Sequence, residues 1–173
     1  KESSAASDVY KRQMLNNNLN GIIIHDELPK AFIQKYETDK IKFIKYKAGN
    51  YSIFEERWIA YYLLLLYNDF ENIFFTDSND VQITTNPFEK HNHKNLLYIG
   101  RDAANRFIDS EWVLQELNKF ELDSNIFAPK SLKLQPLYNA GVVGGNRILL
   151  LNLIHEIIEL TYLSKTDEHK DMT

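Results

Sequence analysis

Acidic side chains placed where an apolar run stops are the first chemistry this chain offers. Ile73, Phe74 and Phe75 form a short, near-continuous apolar run, after which the chain passes through Thr76, Asp77, Ser78, Asn79 and Asp80. Such a run predicts a strand covered on both faces in an α/β sheet, and ligand sites in those sheets gather at the carboxyl ends of strands. Asp77 and Asp80 fall at that end. Two anionic oxygens there suit a hard divalent cation, Mn²⁺ or Mg²⁺, which in turn holds a diphosphate. The same residues are also good turn formers, since Asp, Asn and Ser side chains bond nearby backbone and tolerate tight bends.

Other residues invite chemistry less directly. Arg57 follows Glu55 and Glu56, so its guanidinium either pairs with a neighbour, extends into water, or reaches a diphosphate or an acid of the metal site. Tyr61, four residues on, shares its helical face and offers a ring for stacking a base or sugar. In the segment Tyr138 to Asn146 the glycines serve backbone turns, or else Gly144, Gly145 and Asn146 let the backbone approach a sugar or phosphate at a helix N-terminus. His91 and His93, in a Lys- and Asn-rich loop, read as solvated rather than as a metal pair or a nuclease signature. His25 follows the apolar Ile22 to Ile24 and is either a site residue at a strand end or a hydrogen-bonded edge residue. His155 lies in a polar stripe with Asn152, Glu156 and Glu159, which assigns it to solvent rather than to a metal.

The elements that must position these side chains alternate. Strands are predicted at 21–24, 41–46, 73–75 and 96–99, with a loop or short helix through 29–35. Ser52 and Glu55 have the spacing of a capping box, so a helix should run over 54–67, apolar nearly all round from Trp58 to Tyr67 and therefore buried between the sheet and another layer. Asp109 or Ser110 caps a helix over 111–120 with Trp112, Val113 and Leu117 inward, and 147–163 forms a long helix. Alternation of this kind favours α/β.

Composition narrows the function classes. The chain has 173 residues, 44% hydrophobic and 13% aromatic, enough for one domain with a real core. A formal charge of −4, from 24 acidic and 20 basic residues, argues against a general nucleic-acid surface. The absence of cysteine excludes disulfides, thiolate metal sites and a Cys nucleophile, and leaves cytosol and secretory lumen both open. No apolar run approaches the roughly 20 residues that span a bilayer.

Four blocks in order, Ile22 to Leu28, Tyr51 to Tyr62, Thr76 to Phe88 and Leu137 to Gly145, resemble the GT-A type of nucleotide-sugar glycosyltransferase and together span most of the chain. The resemblance implies a Rossmann-like, mixed and mainly parallel sheet flanked by helices. It also implies metal-dependent transfer of a sugar from a nucleoside-diphosphate sugar to a glycan, protein or lipid acceptor. Asp77-Ser78-Asn79-Asp80 then stands for the metal motif, with one residue more between the acids than the usual form. Asp80 is the favoured direct ligand, and Asp77 a second ligand or its supporting partner. Asn139, Ala140 and Gly141 would line the donor and acceptor pocket with Gly144, and Arg57 would face the nucleotide. Two further functions fit the same residues: a non-catalytic nucleotide-sugar-binding module, and a metal-dependent phosphohydrolase.

Residues 1–13 have no apolar period and resemble translated sequencing-adaptor sequence, so they are expected to be disordered. Residues 14–173 are expected to be a partial glycosyltransferase domain, incomplete at both ends. The strand at Ile73 to Phe75 is expected to be central and parallel to Ile22 to Ile24.

Overall fold

The computed structural model describes residues 11–77, 81–89, 95–101, 110–119 and 135–166. A short helix α1 over 11–16 precedes β1 (Gly21–His25), α2 (Lys30–Tyr36) and β2 (Ile41–Lys45). The chain continues through α3 (Ile53–Tyr67), β3 (Asn72–Thr76), β4 (Leu97–Arg101), α4 (Glu111–Lys119), β5 (Tyr138–Asn146) and α5 (Arg147–Thr166). No helix among the described residues is long and apolar enough to cross a membrane. The architecture is mixed α/β, with small sheets.

β1 and β2 pair in parallel across α2, from Gly21 opposite Ile41 to His25 opposite Lys45. Ile23 of β1 and Phe43 of β2 pack against a small cluster of Met14, Leu19 and Ile41, with Ile83 beside them. A side chain at Gly21 would collide with the Met14 sulfur, so glycine there lets α1 close onto the strand pair. Residues 11–13 therefore belong to the fold, against the expectation for 1–13. Gln13 accepts a hydrogen bond from the Ile83 amide at 2.9 Å, while residues 1–10 lie outside the described residues.

The second sheet has the order β3-β5-β4, both pairings antiparallel. The expected mainly parallel sheet is thus corrected: one of the three described pairings is parallel. β3 lies at an edge of its sheet instead of at the centre, and among the described residues it has no ladder with β1. The reason is the glycine-rich segment, expected as a turn and found as the central strand β5. Phe74, Gly144 and Tyr98 stand in one row across the three strands. The ring of Phe74 fills the space a Gly144 side chain would need. Gly145 adopts φ +123° and lies against the Leu96 carbonyl, where a side chain would both clash and be strained. Between Ile99 and Gly100 the partner on β5 jumps from Val143 to Asn139, so Ala140, Gly141 and Val142 stand against a single step of β4.

α3 and α5 pack on this sheet. Glu55 accepts from the Ser52 amide and hydroxyl, each at 2.8 Å, the capping box that starts α3. α3 packs against α5, and Leu64, Leu65, Leu150 and Ile154 join Phe75 and Val143 in the main core. Leu65, Leu150 and Ile154 are fully buried. Ile22 and Ile24 of β1 reach the same cluster, which ties the two sheets together without a shared ladder. Arg147, the first residue of α5, donates through Nε to the Leu65 carbonyl at 2.8 Å, satisfying an acceptor near the end of α3.

Candidate functional site

Asp77 follows β3 directly, and its amide donates to the Gly141 carbonyl at 2.9 Å, extending the strand pairing by one step. That contact brings the carboxylate onto the irregular part of β5. The Gly141 amide donates to Asn139 Oδ1 at 2.6 Å, a side chain folding back on its own backbone. A side chain at Gly141 would meet Asn139 Oδ1 at 2.8 Å and Asp77 Oδ2 at 3.2 Å, so only glycine leaves both oxygens where they stand. From the opposite side Arg57, one turn into α3, places Nη1 3.0 Å from Asp77 Oδ1. The guanidinium carbon lies 5.8 Å from the Phe54 ring centroid and 5.4 Å from that of Trp58. Its Nε is buried with no hydrogen-bond partner. Asp77 is 38% exposed and Arg57 22% exposed, so the pair borders solvent.

Arg57, Asp77, Asn139 and Gly141 thus converge from three separate stretches of sequence, with Ala140 between the last two. Two other expected residues are used differently. Tyr61 stacks on Phe75, centroids 4.0 Å apart and planes 13° apart, and meets Trp58 edge-on, so one face of its ring is already covered by the core. Gly144 is approached by Phe74 in place of a sugar or phosphate. The N-terminus of α5 is likewise engaged: Asn146 Oδ1 accepts from the Ile148 amide at 3.0 Å and the Leu149 amide at 3.3 Å. Asp80, His91, His93 and Asp109 lie outside the described residues. His25 is a hydrogen-bonded edge residue, its Nδ1 accepting from the Leu28 amide at 3.2 Å. His155 is half exposed, 3.7 Å from Glu159, in agreement with its place on the polar stripe. His155, Glu156 and Glu159 do converge closely enough to share an ion, but all three are exposed.

Sequence reasoning missed Glu56. It is 2% exposed, the one buried charged residue among those described. Its carboxylate accepts from the Tyr46 hydroxyl at 2.6 Å, the Gly49 amide at 2.7 Å and the Tyr51 amide at 3.1 Å. The Tyr46 bond, helped by the two amides and opposed by burial, holds its pKa below the usual carboxylate range. Burial, and then the Glu56 carboxylate as hydrogen-bond partner and charge, push the Tyr46 phenol up to about 12. A signal was present: Gly49 is the residue whose missing side chain leaves room for Glu56 Oε1.

No family model, no curated protein and no solved structure matches this chain.

Proposed function

We propose that this chain is the donor-binding part of a metal-dependent glycosyltransferase that uses a nucleoside-diphosphate sugar. The observation that carries the reading is the convergence of Arg57, Asp77, Asn139 and Gly141 at one solvent-bordering point. A guanidinium is suited to a diphosphate, and carboxylate and amide oxygens are suited to a hard cation and to sugar hydroxyls. The support is the side-chain cluster, and it does not extend to sheet topology, since β3 is an antiparallel edge strand.

The described donor set fits a cation in part. Asp77 offers oxygen chemistry appropriate to Mn²⁺ or Mg²⁺, but its Oδ1 already receives Arg57, which suits a supporting ligand better than a sole one. Asp80 would complete the set. A bound cation would supply Lewis acidity, offsetting the charge that grows on the departing diphosphate. Within the chain, Arg57 orients the Asp77 carboxylate and presents positive charge beside it. Asn139 fixes the Gly141 backbone. Trp58 and Phe54 lie beside the guanidinium.

The test is calorimetric titration of nucleoside diphosphate, with and without Mn²⁺, on the wild type, Asp80→Asn and Asp77→Asn. Asn keeps the size and local bonding of Asp but removes the charge a hard cation requires. Asp80→Asn should abolish metal-dependent binding with the fold nearly unchanged, and Asp77→Asn should weaken it. Equal metal-dependent affinity in all three proteins would remove the metal assignment. Metal-dependent hydrolysis of the donor, without transfer to any acceptor, would favour the phosphohydrolase.

A further inference from the structure

The aromatic residues in the first turns of α3 differ in how much ring they leave for a ligand. Phe54, Arg57, Trp58 and Tyr61 have the spacing of one helical stripe, and their contacts agree. The Arg57 guanidinium carbon is 5.8 Å from the Phe54 centroid and 5.4 Å from that of Trp58, and Trp58 meets Tyr61 edge-on at 5.9 Å. At the inner end Tyr61 stacks on Phe75, centroids 4.0 Å apart, and both Tyr61 and Trp58 pack against the main core. At the outer end Phe54 is 69% exposed. The ring that the sequence offered for stacking is thus taken up by the core, and a bare one stands at the other end of the same stripe.

The setting of Phe54 is fixed. Glu55 accepts from the Ser52 amide and hydroxyl at the helix start, and Glu56 accepts from the Tyr46 hydroxyl and the Gly49 and Tyr51 amides. The ring is therefore presented from a backbone that needs little ordering on contact. Arg57 also reaches Asp77, Nη1 to Oδ1 at 3.0 Å, so a bare ring, a guanidinium and a carboxylate adjoin through consecutive contacts. A ligand that fits has a flat ring to stack and an anion to meet the guanidinium, the construction of a nucleoside diphosphate. Single-stranded nucleic acid shares that chemistry but requires a basic groove along its backbone, whereas this chain has a net charge of −4 and the guanidinium is backed by an acid.

We propose that Phe54 is the platform on which the base of the nucleoside diphosphate stacks, with Arg57 placed to meet the diphosphate and Asp77 beside it. The inference rests on the donor-site reading above, and it moves base recognition from Tyr61 to the exposed first turn of α3. A ring offers its face and no hydrogen bond, so this platform holds any base and discriminates little among them.

The experiment is calorimetric titration of the whole chain, as wild type, Phe54→Leu and Phe54→Trp, with uridine, adenosine and guanosine diphosphates and with inorganic pyrophosphate, each in the presence of Mn²⁺. Leu keeps the apolar bulk at an exposed position, and unchanged thermal unfolding verifies the fold of both variants. Phe54→Leu should lower affinity for the nucleoside diphosphates by about tenfold and leave that for pyrophosphate, which has no base, unchanged. Phe54→Trp should keep the affinity of the wild type. Undiminished nucleotide affinity in Phe54→Leu would overturn the platform and leave the donor-site reading intact. An equal loss of pyrophosphate affinity would also overturn it, since the defect would then lie at the diphosphate end. Failure of the wild type to bind any of the four ligands would overturn both readings, and tighter binding to a short single-stranded RNA than to any nucleoside diphosphate would replace the proposed occupant.

Discussion

Two carboxylates meet the first turns of α3, and they are treated in opposite ways. Glu56 is 2% exposed and takes three donors from the loop it anchors, whereas Asp77 is 38% exposed and faces one guanidinium across solvent-bordering space. A buried charge persists only when its bonds are made within the protein, so Glu56 is committed to holding the loop. A half-exposed acid carries no such obligation. The comparison separates the charge that builds the fold from the charge that can meet a ligand, and it does so with residues adjacent on one helix, Glu56 and Arg57.

The comparison is broken most directly at Glu56. Glu56→Ala leaves the Tyr46 hydroxyl and two amides without their acceptor and should cost about 3 kcal/mol of stability, read by urea unfolding. An effect below about 1 kcal/mol would place Glu56 with the ordinary surface acids. Next in size is Gly144→Ala, expected to cost about 2 kcal/mol because the new methyl group meets the Phe74 ring; unchanged stability would show that the ring has room to withdraw.

Smaller again is the pH dependence. The Glu56 pKa is depressed in the fold, so its contribution is complete above the ordinary carboxylate range and is lost as pH falls through its lowered value. The Tyr46 pKa is raised to about 12, so its contribution is complete below pH 10 and is lost as pH rises through about 12. Unfolding midpoints across pH should fall at both extremes in the wild type, and the acid limb should flatten in Glu56→Gln. The smallest expected effect on folding is that of Asp77→Asn, below about 1 kcal/mol by thermal unfolding, since exposed pairs contribute little. A larger loss would make Asp77 as structural as Glu56.

Local signals were legible in the sequence. The Ser52 and Glu55 pair placed the start of α3 to within one residue, and β-branched or aromatic runs located β1, β2, β3 and β4. Pairing was not legible, because it depends on partners far apart in sequence. The glycines of β5 read as turn formers, yet Gly144 is in the strand to admit the Phe74 ring. At the candidate site the meeting of Arg57 with an acid of the Thr76 to Asp80 segment could be anticipated. The diversion of Tyr61 into a stack with Phe75 could not, since both sides of α3 are apolar and its sequence does not say which ring faces which neighbour. Glu56 went unnoticed because one acid beside another at a helix start looks like ordinary N-terminal charge.

The irregular step between Ile99 and Gly100 gives the chain a sensitivity to length. Gly141 meets Asp77 through the regular β3–β5 ladder, which runs to Thr76 opposite Val142, while on the other side Ala140, Gly141 and Val142 occupy one step of β4. Removing a residue there would turn each following side chain toward the opposite face of the sheet, and adding one would do the same. Substitutions within this part of β5 change one contact at a time. An insertion or deletion of a single codon would shift Asn139 away from Asp77 while leaving the Arg57 contact and every residue type of the cluster in the chain.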